Sequence, residues 1–113
     1  MAFVNMNTIG DGNRKASYEY TIELSATENS SWILVPPCIA RLSITISFSG
    51  GGTGNVEFTT DSVDTVKFGT PVAVTWDFGT VSVTTQDACD PPTALRLVQV
   101  ASGTSKLTVK GSL

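Results

Sequence analysis

Few side chains in this sequence are equipped for chemistry, and their types narrow what that chemistry could be. The acids Glu57, Asp61, Asp64 and Asp77 fall within one stretch. If they converged, they would offer a general acid/base pair or ligands for a hard cation. The D-x-x-D spacing of Asp61 and Asp64 matches no EF-hand loop, so turn formation and helix capping are their expected duty. A glycosidase pair would also need a substrate-lined cleft, which a chain of 113 residues seldom has room to build. The sequence contains no histidine, which removes the usual general base at neutral pH and the commonest zinc ligand. Cys38 and Cys89 each lie beside a Pro-Pro pair. Two thiols cannot close a zinc site, and without a secretory signal free buried thiols are expected rather than a bridge. No catalytic, metal-ligating or cofactor-binding residue is expected, and no cofactor.

Aromatic rings are the remaining chemical handle, because a sugar-binding module needs exposed planar rings. The candidates are Tyr18, Tyr20, Trp32 and Trp76. Trp76 alternates with Val74 and Phe78, which places it in a core. Trp32 follows a polar turn, so a core position is its first expectation and a rim position its candidate glycan-contact role.

The elements that must position these groups read almost entirely as strands. Leu42, Ile44, Ile46 and Phe48 alternate with hydroxyl residues. After the glycine-rich stretch Gly50, Gly51, Gly52, Thr53, Gly54, the alternation resumes at Val56 and Phe58. This predicts a β-hairpin with Phe48 opposite Val56 and Ile46 opposite Phe58, all on one dry face. A phosphate loop is not expected at GGGTG, since those motifs need a strand-to-helix turn.

Tyr18, Tyr20, Ile22 and Leu24 predict a half-buried strand. Trp32 to Val35 form a continuous apolar run, to be buried on both sides or set at a sheet corner, and Pro36 and Pro37 end it. The segment DSVDTVKFGTP predicts a helical turn capped by Asp61 or Ser62 and closed by Gly69 and Pro71. Val72, Val74, Trp76 and Phe78, then Val81 and Val83, predict a strand with a bulge or bend at Gly79. Residues 86–93 read as a loop. The change of parity in ALRLVQV predicts a bulge or a central strand covered on both faces, and Leu107 and Val109 predict a closing edge strand with Lys106 and Lys110 outward.

The class is therefore all-β: a two-sheet antiparallel β-sandwich in jelly-roll or Greek-key order, with an immunoglobulin-like order as the alternative. Residues 1–17 read as an N-terminal arm and 18–113 as one domain. The turn signals at Asp11 to Lys15 mark a turn or mobile segment. Phe3, Val4, Met6 and Ile9 are the apolar groups that would make docking of the arm on a neighbour worthwhile.

The net charge of −3, with seven scattered Lys and Arg, excludes a phosphate-binding surface, so nucleic acid is not an expected partner. No apolar run approaches a bilayer span and nothing marks the N-terminus for secretion, so membrane partners are not expected either. Charged residues make up 15% of the chain against ~25% in typical domains, and Ser and Thr make up 28 of the 113 residues. A free monomer normally carries more mixed charge, so part of this neutral surface is expected to be covered by neighbours.

The stretch from Asn55 to Gly111, through NVEFTTDSVD, VTWDFGTVSV and ALRLVQVASGTSKLTVKG, resembles small structural proteins encoded among the virion genes of tailed bacteriophages. The resemblance covers about half of the chain. It implies a sandwich unit that decorates a capsid, often as a homotrimer, binds the major capsid protein and is made in the host cytoplasm. A tail or fibre component that recognises a host receptor or carbohydrate is the alternative. The contacts expected on chemical grounds are Phe3, Val4, Met6 and Ile9 of the arm and the loop Gly50 to Gly54.

Overall fold

The structure, a computed structural model, describes residues 3–9 and 17–112. The turn expected at Asp11 to Lys15 lies outside them, as does the side chain of Ile9. The described elements are β1 (Phe3–Asn5), β2 (Asn7–Ile9), β3 (Ser17–Leu24), β4 (Trp32–Leu34), β5 (Arg41–Ser49), β6 (Thr53–Thr59), α1 (Val63–Phe68), β7 (Val74–Thr75), β8 (Thr85–Cys89), β9 (Ala94–Ala101) and β10 (Thr104–Ser112). They build two five-stranded sheets, ordered β1-β4-β9-β6-β7 and β2-β3-β10-β5-β8. Every strand pair is antiparallel except β1 with β4.

Alternation dictates what fills the space between the sheets. Leu42, Ile44 and Ile46 of β5, Leu107 and Val109 of β10, Val56 of β6 and Leu95 and Leu97 of β9 are fully buried in one cluster. The short helix adds a second cluster on the other face of the first sheet. Val66 of α1 packs there with Trp32, Leu34 and Ala94 while Ile33 points into the main core. The run around Trp32 is thus buried on both sides, as its lack of polar residues requires. The helix forms where its caps predict: the Ser62 hydroxyl accepts from the Thr65 N–H at 3.2 Å, and the Gly69 N–H donates to the Thr65 carbonyl at 2.9 Å.

Four expectations are corrected. The stretch around the glycines is not a hairpin. Ile46 pairs with Leu107 and Thr85, whereas Val56 pairs with Leu97 and Phe58 with Leu95, so β5 and β6 belong to opposite sheets. Their apolar faces meet across the core instead of lying side by side, and Gly50 and Gly51, at φ 64° and 82°, turn the chain over. The strand expected from Val72 to Val83 shrinks to β7, because Trp76 to Gly79 closes a turn with Gly79 at φ 62° and a Gly79 N–H to Trp76 carbonyl bond of 3.1 Å. Residues 86–89, read as the start of a loop, belong with Thr85 to β8, which pairs with β5. The closing strand β10 lies between β3 and β5, not at an edge. Lys106 and Lys110 sit there opposite Glu23 and Glu19, which is how a central strand accommodates them.

Residues 3–9 of the expected arm pair with strands of the domain. β1 extends the first sheet beside β4, β2 extends the second beside β3, and Met6 between them is 6% exposed in the main core.

The parity change in β9 has both of its expected causes. Leu95, Leu97 and Gln99 face inward and Ala94 and Arg96 face the helix side, while Ala101 opposite Thr53 and Gln99 opposite Gly54 leave Val100 as the extra residue of a bulge. Gln99 faces inward in step with Leu95 and Leu97, just before the bulge. Its Nε2 donates to the carbonyls of Ala101 and Gly103 at 3.0 and 2.7 Å, and its Oε1 accepts from the Ser105 hydroxyl at 2.5 Å. The amide thereby ties the turn between β9 and β10, where the chain changes sheets. Gly103, at φ 131°, lies so close to the other crossing that a Cβ there would sit 2.7 Å from the Gly52 Cα.

Candidate functional site

The carboxylates do not gather. Glu57 accepts from Arg96 Nε at 2.8 Å and pairs with Nη2 at 2.7 Å, both side chains being mostly buried. The Arg96 guanidinium lies 4.5 Å from the Trp32 ring centroid, a cation–π contact that the helix side of the sheet encloses. Asp61 accepts from the Val72 N–H at 2.7 Å, holding the return from α1 to β7, and Asp64 lies in the first turn of the helix. Capping and turn formation are therefore the duties of Asp61 and Ser62. Among the described residues no three His, Cys, Asp or Glu side chains come close enough to hold a metal ion.

Trp32 is 1% exposed, with Arg96 over its ring, so it presents no face to a sugar. Trp76 is buried as its spacing predicts, and its indole N–H donates to the Gly79 carbonyl at 2.6 Å. Both cysteines are free thiols. Cys38 is exposed rather than buried, and its thiol beside the Tyr18 hydroxyl raises the phenol above its ordinary range. Cys89 is half-buried, and burial first, then the nearby Asp87 carboxylate, push its thiol upward.

The expected contact residues divide. Phe3 keeps 36% exposure, with the Lys67 ammonium 5.4 Å from its ring centroid. Val4 packs against the core and Met6 is inside it. In the loop, Gly50 and Gly51 are exposed, Thr53 is half-buried, and Gly52 and Gly54 are buried.

The larger apolar surface lies elsewhere. Val63, Phe68, Val72, Val74, Phe78 and Val83 are 45, 83, 68, 61, 48 and 69% exposed, all between residues 63 and 83 of the chain. Val72 and Val74 line an open cleft of about 470 Å³ with Phe58, Thr60 and Asp61. Sequence reasoning placed Val72, Val74 and Phe78 in a core by their alternation. The contrary signals were Pro71, which lacks a ladder N–H, and Gly79, which favours a turn.

A second cleft, of about 340 Å³, lies at the opposite edge between Met6, Tyr18, Leu34, Val35, Pro36 and Val63, with Lys67 on its wall.

Fold and surface together define an all-β, two-sheet sandwich with an apolar margin. No family model and no curated protein matches the chain. Among solved structures, a chain described under "Bacillus endospore appendages form a novel family of disulfide-linked pili" aligns over 93% of this chain and 96% of that one, at 13% identity and a TM-score of 0.47. An overlap at that score carries no inference about this chain.

Proposed function

We propose that this chain is a non-enzymatic virion structural protein of a tailed bacteriophage, a capsid decoration protein that binds between major capsid subunits and reinforces the shell. The observation that carries the reading is the apolar margin: six large side chains from Val63 to Val83, each close to half exposed or more, on a domain with a 15% charged fraction. A single exposed apolar residue needs no explanation, but Val72 and Val74 line one cleft and are followed closely in the chain by the exposed Phe78, which favours a surface that is covered. Repeated over a symmetric shell, modest contacts of this size gain strength by multivalency. The jelly-roll order is part of the proposal. It is supported by β3-β10-β5-β8 facing β4-β9-β6-β7, with most connections crossing between the two sheets. Copies associate as homotrimers on the outer capsid surface, through this margin and the exposed Phe3, Gly50 and Gly51. The sugar-binding alternative loses its candidate ring, since Trp32 is enclosed.

The test uses heads assembled without this chain. Added protein is expected to co-sediment with them and raise their thermal disruption temperature, and Phe68→Ser with Val74→Ser to weaken both effects while the domain stays folded. Absence of co-sedimentation with an unchanged disruption temperature would overturn the proposal.

A further inference from the structure

The last strand of the second sheet, β8, has a neighbour on one side only among the described residues. A strand in that position normally presents unpaired N–H and C=O groups to any extended chain that approaches, including a second copy of itself. Here the backbone groups of Ala88 are already engaged. Its N–H donates to Asp87 Oδ1 at 2.9 Å, and its carbonyl accepts from Arg41 Nη2 at 3.4 Å. Arg41 is in turn held by Asp90, Nη1 to Oδ1 being 3.8 Å. Within the β8 ladder Ala88 lies opposite Ser43 and Asp87 opposite Ile44. Neighbouring residues of a strand direct their backbone groups to opposite sides, so if Ala88 faces away from β5, Asp87 bonds β5 and Gln86 faces the same open side as Ala88. A backbone N–H satisfied by its own neighbour's carboxylate is one that no incoming strand can use without displacing that carboxylate.

We infer that Arg41, Asp87 and Asp90 form a guard on the open edge of β8 that keeps a second copy of this chain from adding its own β8 to the second sheet. A two-fold antiparallel pairing of β8 with β8 would otherwise be the simplest such addition, because it is self-complementary and closes on itself. The guard acts in two ways. It fills the bonding positions of Ala88, and it places a guanidinium and two carboxylates where an approaching backbone would have to desolvate them. Charged side chains turned onto an edge are a known means of stopping sheet growth. The inference does not depend on the decoration reading, since it concerns an edge kept clear and not the apolar margin on the other sheet.

The experiment compares the full chain with the double variant Arg41→Thr and Asp87→Val. One positive and one negative charge are lost together, so the net charge stays at −3 and general repulsion between copies is unaltered. Mass against concentration is read by sedimentation velocity, amide exchange is read at Gln86 and Ala88, and far-UV circular dichroism verifies the fold. The double variant is expected to self-associate about tenfold more tightly than the wild type, a ratio suited to a few recovered backbone hydrogen bonds. The amides of residues 86 and 88 should become protected in step with the mass. Adding Ala88→Pro to the double variant removes the N–H from the open edge and should return the mass to the wild-type curve with the fold intact. A folded double variant whose mass curve matches the wild type would overturn the inference. So would association without protection at residues 86 and 88. If Ala88→Pro alone unfolded the wild type, Ala88 would be bonded to β5 and the inference would fail on geometry.

Discussion

Replacing Gln99 by leucine tests how much the inward-turned amide contributes to holding the sheet crossing. The side chains are of similar size, so little volume is lost, and at 1% exposure the substitution is read in the interior. Three bonds disappear: those to the carbonyls of Ala101 and Gly103 and that from the Ser105 hydroxyl. A buried polar group left without its partner costs about 1–3 kcal/mol. The two carbonyls lie in a turn where water reaches part of the way, so the lower end applies to them, while Ser105 is fully buried and takes a value nearer the middle. Leucine recovers ~1 kcal/mol of apolar burial. The net loss is about 3 kcal/mol, a large share of the ~5–15 kcal/mol that holds a domain together. With an unfolding entropy of about 2.1 cal/mol/K per residue, the midpoint should fall by roughly 12 °C. The assay is thermal and urea unfolding followed by tryptophan fluorescence, with Ser105→Ala and the double variant alongside. Ser105→Ala should cost ~1 kcal/mol in the wild type and nothing, or slightly stabilise, once Gln99 is leucine, because the hydroxyl is then itself an orphan. A leucine variant as stable as the wild type, or strictly additive effects, would refute the reasoning.

Gly103→Ala should destabilise by more than ~3 kcal/mol, or prevent folding, because a Cβ there meets the Gly52 backbone. Gly51→Ala, at φ 82° with open space around it, should cost only ~1 kcal/mol in urea titrations. Arg96→Ala leaves Glu57 without its partner and uncovers Trp32; a loss of about 2–3 kcal/mol and a red shift of the tryptophan emission are expected. Alkylation at pH 8 should modify Cys38 well before Cys89, as mass spectrometry of the two tryptic peptides would show. Because the Cys89 thiol is raised in the folded state, the unfolded chain releases that proton first. The contribution of Cys89 is therefore fully present below the ordinary thiol value and lost as pH climbs from there through the raised folded value, and Cys89→Ala should flatten that alkaline decline in urea midpoints.

Much of the fold could be read from period-two alternation, and the failures share one cause. Alternation states which face a residue belongs to, not which strand lies beside it. Leu42 to Phe48 and Val56 with Phe58 were read correctly as apolar faces, yet a hairpin and a crossover between facing sheets satisfy that pattern equally. The pairings of β5 with β10 and β8 and of β6 with β9, all distant in sequence, separate the two. Lys106 and Lys110 looked like edge residues because charge at a strand usually signals an edge; Glu19 and Glu23, far away in the chain, supply the partners that make a central position tolerable. The helical turn was legible because its caps are local. The apolar margin was not, since Val72 and Val74 differ from core valines only in having no sheet opposite them.

The position of β10 between β3 and β5 has a consequence for how the molecule comes into being. The middle of that layer is made after both of the strands that flank it. Until residues 104–112 emerge, β3 can pair only with β2 and β5 only with β8, and the inner edges of those two halves stay open to chaperones or to other nascent chains. A chain cut before residue 104 would thus be left with that layer in two unjoined halves, so the addition of this one segment is the step that closes it.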